Sequence, residues 1–193
     1  MTAGIVAAYL IGSIPFALLL ARRWGTADLR SIGSGNLGAA NVMRASGVKA
    51  GILVAVLDIA KGAASVALAE RLSPDAAAAA AGLAAIVGHI YPIWLRFRGG
   101  KGVATACGVF SVLTPAAVPP ALLIFVGTVW LTKYISFGSL VATVALPPIA
   151  YATGSPAPVV AVAFAAAAII VFRHRSNLAR LRTGTERRIG ARA

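Results

Sequence analysis

The chain has 193 residues, of which 59% are hydrophobic and 12% are charged. Soluble domains are about one quarter charged, so this composition, with a mean hydropathy of +0.86, excludes an ordinary water-soluble domain. The formal net charge is +13, but the basic residues stand between apolar runs, which indicates membrane orientation and excludes nucleic-acid binding as the main role.

The apolar runs predict an all-α membrane protein with seven transmembrane helices in a single domain, residues 1–193. A helix satisfies its own backbone hydrogen bonds in lipid, and about 20 apolar residues cross the hydrocarbon core. The fourth run is the shortest. The predicted spans cover residues 3–21, 51–69, 76–95, 102–114, 116–132, 137–153 and 157–172.

The basic residues fall on alternate connections between these spans. All but two of the 18 lysines and arginines lie in the segment 22–50, the turn 96–101, the connection at Lys133 or the tail 173–193. The positive-inside rule places these segments in the cytoplasm. We therefore expect the N-terminus outside, the C-terminus in the cytoplasm and the functional site at the cytoplasmic face.

The segment 22–50 contains a glycine-rich motif that ends in an arginine. Glycine lets the backbone approach a ligand, successive N–H groups form an anion-binding nest, and arginine offers a charged fork for phosphate. A flexible linker beside the membrane is the alternative, but a linker needs neither two asparagines nor an arginine. The candidate residues are Gly33, Ser34, Gly35, Asn36, Gly38, Asn41 and Arg44.

A second glycine motif surrounds Lys101 where the fourth predicted span begins. The free N–H groups at a helix N-terminus attract an anion, so Gly99, Gly100, Lys101 and Gly102 are candidate phosphate-binding residues. The motif is not a Walker A loop, because Gly102 replaces the required serine or threonine. The alternative is that Lys101 is an orienting charge that reaches the membrane surface.

Three further positions carry polar groups that orientation alone does not require. His174 and Asn177 are three residues apart, so they share one face of a helix. The connection before the sixth span adds Ser139, which is a weak signal when taken alone. Asp58 and Lys61 lie inside the second span, where charges are costly. A structural ion pair, a pairing of Asp58 with Arg44 and a role in the site all remain open.

Together, these segments resemble the acyl-phosphate-dependent glycerol-3-phosphate acyltransferase family of bacteria, the PlsY type. The resemblance covers nearly the whole chain, and its specificity comes from the order and number of the motifs. One departure is Ala40, where the family usually has threonine. The matching segments are 12–16, 33–44, 58–62, 88–89, 97–105, 138–139 and 174–186.

The resemblance implies a multi-pass protein of the bacterial plasma (inner) membrane with seven helices and a cytoplasmic active site. It implies transfer of a fatty acyl group from acyl phosphate to the sn-1 hydroxyl of glycerol 3-phosphate, the first step of phospholipid biosynthesis. The products would be 1-acyl-glycerol 3-phosphate (lysophosphatidic acid) and inorganic phosphate. The implied partners are the two substrates, membrane lipids and a cytoplasmic acyl-phosphate synthase.

The resemblance also assigns expected roles to the candidate residues. Ser34 and the 33–38 loop would hold the acyl-phosphate head, and Gly99, Gly100 and Gly102 would contribute to substrate binding. The residues expected at glycerol 3-phosphate or its reacting end are Arg44, Lys101, Ser139, His174 and Asn177. The expected catalytic set is Ser34, Arg44, Lys101, His174 and Asn177.

An acyl phosphate is already activated, so the enzyme mainly has to orient and neutralise its substrates. The sequence has no cluster of acidic, histidine or cysteine residues typical of a Mg²⁺ or Zn²⁺ site, so we predict no metal and no cofactor. The general base is either His174 or a phosphate oxygen of a substrate.

Three other functions compete with this interpretation. A transporter of an organic anion or phosphate ester would also use basic loops, but transporters usually show inverted repeats and a site at the membrane midplane. A non-catalytic scaffold would explain the charge but not the glycine motifs. A related enzyme acting on another phosphate-bearing alcohol is the hardest to separate.

Overall fold

The structure, a computed structural model, describes residues 2–24, 28–32, 35–72 and 76–190, and every regular element in these ranges is helical. The all-α prediction is confirmed. The helices are α1 (Thr2–Gly12), α2 (Phe16–Arg23), α3 (Ala39–Ser46), α4 (Val48–Leu72), α5 (Ala76–Ile90), α6 (Val103–Leu113), α7 (Val118–Thr132), α8 (Ile135–Ala152), α9 (Ala157–Arg173) and α10 (Arg175–Arg182), with a 3-10 turn at Ile93–Leu95.

Several of these helices are long and apolar enough to cross a membrane. Within the described residues they are Thr2–Arg23, Val48–Arg71, Ala77–Leu95 and Ile135–Ala152, and the pair α9 and α10, bent by 57°, makes a fifth if it counts as one span. Helices α6 and α7 have 11 and 15 residues, which at about 1.5 Å per residue is shorter than the hydrocarbon core. A multi-pass membrane protein is therefore confirmed, and the number seven stays a prediction.

The first predicted span, 3–21, is interrupted at residues 13–15. Pro15 has no N–H and disfavours a helical backbone at Ile14, so the helix ends before it. A new helix starts immediately, because the Pro15 carbonyl accepts the N–H groups of Leu18 and Leu19 at 3.0 and 3.1 Å. The break places backbone polar groups inside the protein, next to the residues of the site described below.

The chain divides into two compact units, Met1–Leu113 and Thr114–Ala193. In the first unit, α4 packs against α6, α5, α1 and α3, and α1 also packs along α5. In the second unit, α8 packs against α7 on one side and α9 on the other, and α10 follows α9. The expectation of a single domain over 1–193 stays a prediction.

Glycines allow the closest helix crossings of the first unit. A Cβ on Gly62 of α4 would collide with the carbonyl oxygen of Thr105, and a Cβ on Gly108 of α6 would collide with that of Ile59. Small residues at a crossing let two helix backbones approach each other, which strengthens packing where lipid supplies no hydrophobic drive. The crossing of α1 with α5 is built in the same way, from Gly12 against Ala85 and Gly88 against Tyr9.

We predict that Gly108→Ala lowers the free energy of unfolding by about 1–3 kcal/mol, because the added methyl group forces α6 away from α4. The measurement is thermal unfolding in detergent. Gly127→Ala is the matched control, since a Cβ at Gly127 in α7 meets nothing within 4 Å. The control should be neutral or slightly stabilising. Equal effects of the two substitutions would contradict the close crossing.

Candidate active site

The first glycine motif folds as a turn that leads into α3. Gly35 has a φ of +65°, which side chains disfavour, and a Cβ there would lie 2.9 Å from the Arg30 carbonyl oxygen. Its N–H donates to the Ile32 carbonyl at 3.0 Å. The Gly38 carbonyl then accepts the Asn41 N–H at 3.0 Å and begins the helix. Both the backbone angle and the available space therefore require glycine at position 35.

The side chain of Asn41 stabilises this turn from its buried side. Its side chain is buried, and Nδ2 donates to the carbonyls of Leu29 and Ile32 at 2.9 and 3.1 Å. Asn41 thus shapes the motif, and a direct substrate contact by Asn41 stays a prediction. Arg44 lies three residues further along α3 and is exposed. Asn36 belongs to the described part of the turn, while Gly33 and Ser34 lie outside the described residues.

The second glycine motif folds back onto the end of α5. The Gly99 N–H donates to the Ile90 carbonyl at 3.0 Å, and the Gly100 N–H donates to the His89 carbonyl at 3.1 Å. A Cβ on Gly99 would collide with the His89 carbonyl oxygen, and a Cβ on Gly100 would collide with the His89 imidazole. The backbone of this turn therefore lies directly on His89, which only glycine permits.

Lys101 connects this turn to α6. It is half-buried, and it is followed by Gly102, whose φ of +91° belongs to the left-handed region. The Gly102 carbonyl accepts the Ala106 N–H at 2.8 Å, which forms the first turn of α6. The predicted placement of Lys101 at the start of a helix is confirmed.

The two glycine motifs meet at one small cavity within the first unit. Leu37 of the first motif and Gly99 and Gly100 of the second motif line it. The rest of the wall comes from α2 and the break before it, from three titratable side chains of α4 and α5, and from Pro92 and Leu95. The cavity has room for about one water molecule. The structure therefore brings together the two segments that the sequence predicts to bind phosphate.

The three titratable side chains form a buried charged group. Lys61 Nζ lies 2.8 Å from Asp58 Oδ1, and the two form a buried ion pair. His89 Nδ1 lies 3.6 Å from the same oxygen, beyond hydrogen-bond length. Lys61 Nζ also donates to the Ile14 carbonyl at 2.8 Å, at the break between α1 and α2. Of the partners open to Asp58 in the sequence, the structure selects Lys61.

In the second unit, His174 stands at the junction of α9 and α10. The side chain is buried, and Nδ1 lies 2.8 Å from the Ile170 carbonyl oxygen. A carbonyl only accepts, so Nδ1 carries the hydrogen, and Nε2 of the neutral ring is the proton-accepting nitrogen. Asn177, three residues later, is also buried. His174 immediately precedes α10 and Asn177 lies in its first turn, so the predicted helical segment is present.

Glu186, which the sequence reasoning did not assign to the site, organises this unit. Its Oε1 accepts hydrogen bonds from Asn177 Nδ2 at 2.7 Å and Ser136 Oγ at 2.8 Å. Its Oε2 accepts one from Arg180 Nε at 2.7 Å. Two sequence signals point to it: Glu186 is the single acidic residue of the tail, and it ends the matching segment 174–186.

The same contacts set the charge state of Glu186. Burial disfavours the charged form and acts to raise the pKa. The hydrogen bonds from Ser136, Asn177 and Arg180, together with the charge of Arg180, act in the opposite direction. They prevail, so the pKa of Glu186 lies below its ordinary value of 4.5. The carboxylate is therefore ionised at neutral pH, with its negative charge fixed beside Asn177.

Ser139 lies on α8, three residues after Ser136. Its side chain is buried, and the hydroxyl donates to the Ile135 carbonyl at 2.9 Å. The segment after α10 returns to the start of the same helix, where the Ile189 N–H donates to the Lys133 carbonyl at 2.8 Å. In the second unit, the tail and α8 are thus joined by backbone and side-chain contacts, and a substrate contact by Ser139 stays a prediction.

Among the described residues, no group of three or more His, Cys, Asp and Glu side chains is placed to hold a metal ion. The expectation that the protein uses no metal or cofactor stays a prediction.

Comparisons with known proteins match almost the whole chain. A family model for glycerol-3-phosphate acyltransferase matches residues 2–184. A glycerol-3-phosphate acyltransferase of Syntrophotalea carbinolica is 46% identical over 190 residues, 97% of this chain and 96% of that protein. One of Geobacter sulfurreducens is 47% identical over 185 residues, 95% of each chain.

Two solved structures have the same fold. The crystal structure of PlsY (YgiH), an integral membrane glycerol 3-phosphate acyltransferase, in its glycerol 3-phosphate form has a TM-score of 0.94 and 39% identity, covering 98% of this chain and 95% of that one. Its lysophosphatidic acid form has a TM-score of 0.91 and 38% identity with the same coverage.

The fold and these matches define a multi-pass integral membrane acyltransferase. The chain belongs to the glycerol-3-phosphate acyltransferase family, as the resemblance indicated.

The lowered pKa of Glu186 generates a prediction about stability. Ionised Glu186 stabilises the fold above pH 4.5, and this contribution is lost as the pH falls below 4.5 through the pKa of the folded state. We predict that Glu186→Gln lowers the free energy of unfolding by about 1–3 kcal/mol at pH 7, because a donor loses its charged acceptor. The difference from the wild type should shrink in acid.

Thermal unfolding in detergent between pH 7 and pH 3 measures this difference. Glu70→Gln, at an exposed position of α4, is the matched control and should change little. A deficit of Glu186→Gln that is independent of pH would show that the charge of Glu186 contributes nothing.

Proposed function

We propose that this enzyme transfers a fatty acyl group from acyl phosphate to the sn-1 hydroxyl of glycerol 3-phosphate. The products are 1-acyl-glycerol 3-phosphate (lysophosphatidic acid) and inorganic phosphate, in the first step of phospholipid biosynthesis. The observation that carries the proposal is the meeting of two glycine motifs at one cavity, with Lys101 directly after Gly100 and two residues before α6. The glycerol 3-phosphate and lysophosphatidic acid forms of PlsY support the acceptor and the product.

Both substrates carry phosphate, and the site offers what phosphate requires. Gly99 and Gly100 bring backbone to the wall of the cavity without side chains in the way. Gly102 then leads into the N-terminus of α6, and the first N–H groups of a helix attract an anion. In the proposal, Ser34 and the 33–38 loop hold the acyl-phosphate head. Arg44 and Lys101 neutralise charge at glycerol 3-phosphate, with Gly102, Ser139, His174 and Asn177 completing the substrate contacts.

The reaction balances without an oxidant, a reductant or a further reactant. The sn-1 oxygen attacks the acyl carbonyl carbon, an ester C–O bond forms, and the C–O bond of the mixed anhydride breaks. Phosphate departs with the electron pair, and the hydroxyl proton ends on phosphate. Fixed cations favour this step because negative charge moves onto the departing phosphate in the transition state.

We further propose the topology and location that the basic residues indicate. Seven spans, an outer N-terminus and a cytoplasmic C-terminus place the glycine motifs and the tail at the cytoplasmic face of the bacterial inner membrane. The whole chain would act as one catalytic domain, since each compact unit carries candidate site residues. A soluble acyl-phosphate synthase at that face would supply the donor.

The primary test is phosphate release by the purified protein in lipid, with palmitoyl phosphate and glycerol 3-phosphate. We expect phosphate and lysophosphatidic acid in equal amounts, no reaction with acyl-CoA and no effect of EDTA. Lys101→Ala should lower kcat/KM by about 100-fold or more, because a fixed positive charge is lost. Lys49→Ala, at an exposed lysine of α4, is the matched control and should stay near wild type.

Absence of release with either donor, from protein shown to be folded, would reject the acyltransferase proposal. Transport of an organic anion or phosphate ester would then become the leading alternative.

A second variant tests the path of the proton. We expect His174→Ala to lower kcat by about 100-fold or more, because the bond from Nδ1 to the Ile170 carbonyl leaves Nε2 as the accepting nitrogen. Arg182→Ala, an exposed cation of the same tail, controls for the loss of surface charge. A loss of less than tenfold in His174→Ala would instead assign the proton to a phosphate oxygen of a substrate.

A further inference from the structure

Three titratable side chains are buried in the first unit without a direct part in the proposed reaction. Asp58 and Lys61 belong to α4, His89 belongs to the last turn of α5, and their exposed fractions are 2%, 4% and 8%. Such groups are expensive inside membrane helices and are kept there when they have a partner or a task. Their position behind the second glycine motif indicates that the task is to hold that motif in place.

Asp58 lies next to both of the other two side chains. Its Oδ1 lies 2.8 Å from Lys61 Nζ and 3.6 Å from His89 Nδ1. One carboxylate thus faces a cation on its own helix and an imidazole on the neighbouring helix. In a region of low dielectric, such interactions are strong and orient the side chains that make them.

His89 transmits this orientation to the glycine turn. Its carbonyl accepts the Gly100 N–H, and its imidazole fills the space where a Cβ of Gly100 would stand. Gly100 is not among the glycines with positive φ, so the imidazole, and not the backbone angle, excludes a larger residue. Lys101 follows one peptide bond later, so the imidazole packs against the backbone that leads directly to Lys101.

Lys61 transmits the orientation to the other wall of the cavity. Its Nζ donates to the Ile14 carbonyl at 2.8 Å and lies 5.6 Å from the centre of the Phe16 ring. The same break receives a second contact, because Trp94 Nε1 donates to Ser13 Oγ at 2.7 Å. The break between α1 and α2 is therefore fastened both to the charged group and to the segment that precedes the glycine turn.

We propose that Asp58, Lys61 and His89 are positioning residues for acyl transfer. The carboxylate orients the imidazole and the ammonium group, the imidazole sets the turn at Gly99 and Gly100, and the turn holds Lys101 at the phosphate. In this proposal, none of the three contacts the reacting atoms. The proposal rests on the proposed function, because it is that function which gives Lys101 a phosphate to bind.

Enlarging Gly100 and shortening His89, singly and together, tests the contact between the imidazole and the glycine turn directly. We expect Gly100→Ala alone to lower kcat/KM by about 10- to 100-fold, because small misplacements of a binding group have effects of this size. In a His89→Ala background, adding Gly100→Ala should cost less than about threefold, since the methyl group then has space. Equal losses in both backgrounds would overturn the role of the imidazole.

The carboxylate is tested by Asp58→Asn, which keeps the shape and removes the charge. We expect kcat/KM to fall by about 10- to 100-fold and a nitroxide at the exposed position of Arg98→Cys to become more mobile. Cys107→Ser removes the native thiol, the only cysteine of the chain. Glu70→Gln on the same helix is the control and should change neither quantity.

If Asp58→Asn does not fold, the double variant Asp58→Asn with Lys61→Met is used instead, because it removes both buried charges together. Unchanged activity, or lost activity with unchanged label mobility, overturns the proposal. The mobility of the nitroxide label also tests the positioning proposal independently of the proposed function. If the wild type releases no phosphate, that function is wrong, and the mobility in Asp58→Asn still decides whether the charged group holds the turn.

Discussion

In a bilayer, no water replaces a missing hydrogen-bond partner, and the architecture of this enzyme depends on that constraint. Its helices satisfy their own backbones, so each interruption needs a partner from elsewhere in the protein. At the break between α1 and α2, that partner for the Ile14 carbonyl is Lys61. The Ser13 hydroxyl donates to the Leu10 carbonyl at 2.7 Å and accepts Trp94 Nε1. The hydrogen bond of Lys61 to the Ile14 carbonyl is a structural reason for burying a lysine in a place where charge is costly.

The glycines serve both packing and chemistry. At Gly62 and Gly108 they let α4 and α6 approach to backbone contact, and at Gly99 and Gly100 they let a turn lie on α5. The closeness of the helices is what gives the turn a rigid base. The proposed phosphate site needs such a base, because its groups bind well only if they are fixed before the substrate arrives.

The sequence predicts features that depend on local pattern. Hydropathy placed the second span at 51–69 and the last at 157–172, close to Val48–Leu72 and Ala157–Arg173, and glycine spacing marked both motifs. It did not reveal α3 inside the loop 22–50, because a helix of eight residues is shorter than the stretch over which a helical period can be recognised. Nor did it assign Glu186, whose partner Ser136 lies 50 residues away. Contacts between distant segments leave no mark in a single sequence.

The two compact units have one feature in common, a buried carboxylate that interacts with neighbouring polar side chains. Among the described acidic residues, Asp58 and Glu186 are the buried ones, and each lies directly behind a candidate substrate-binding segment. Glu186 accepts a hydrogen bond from Asn177, and Asp58 faces the histidine on which the Lys101 turn rests. An acyl phosphate is already activated, so its transfer requires orientation and neutralisation more than strong acids or bases. In a strongly basic protein, two buried carboxylates would then serve to fix polar groups in place, and in the proposed reaction the substrate phosphates would bind the cations in front of them.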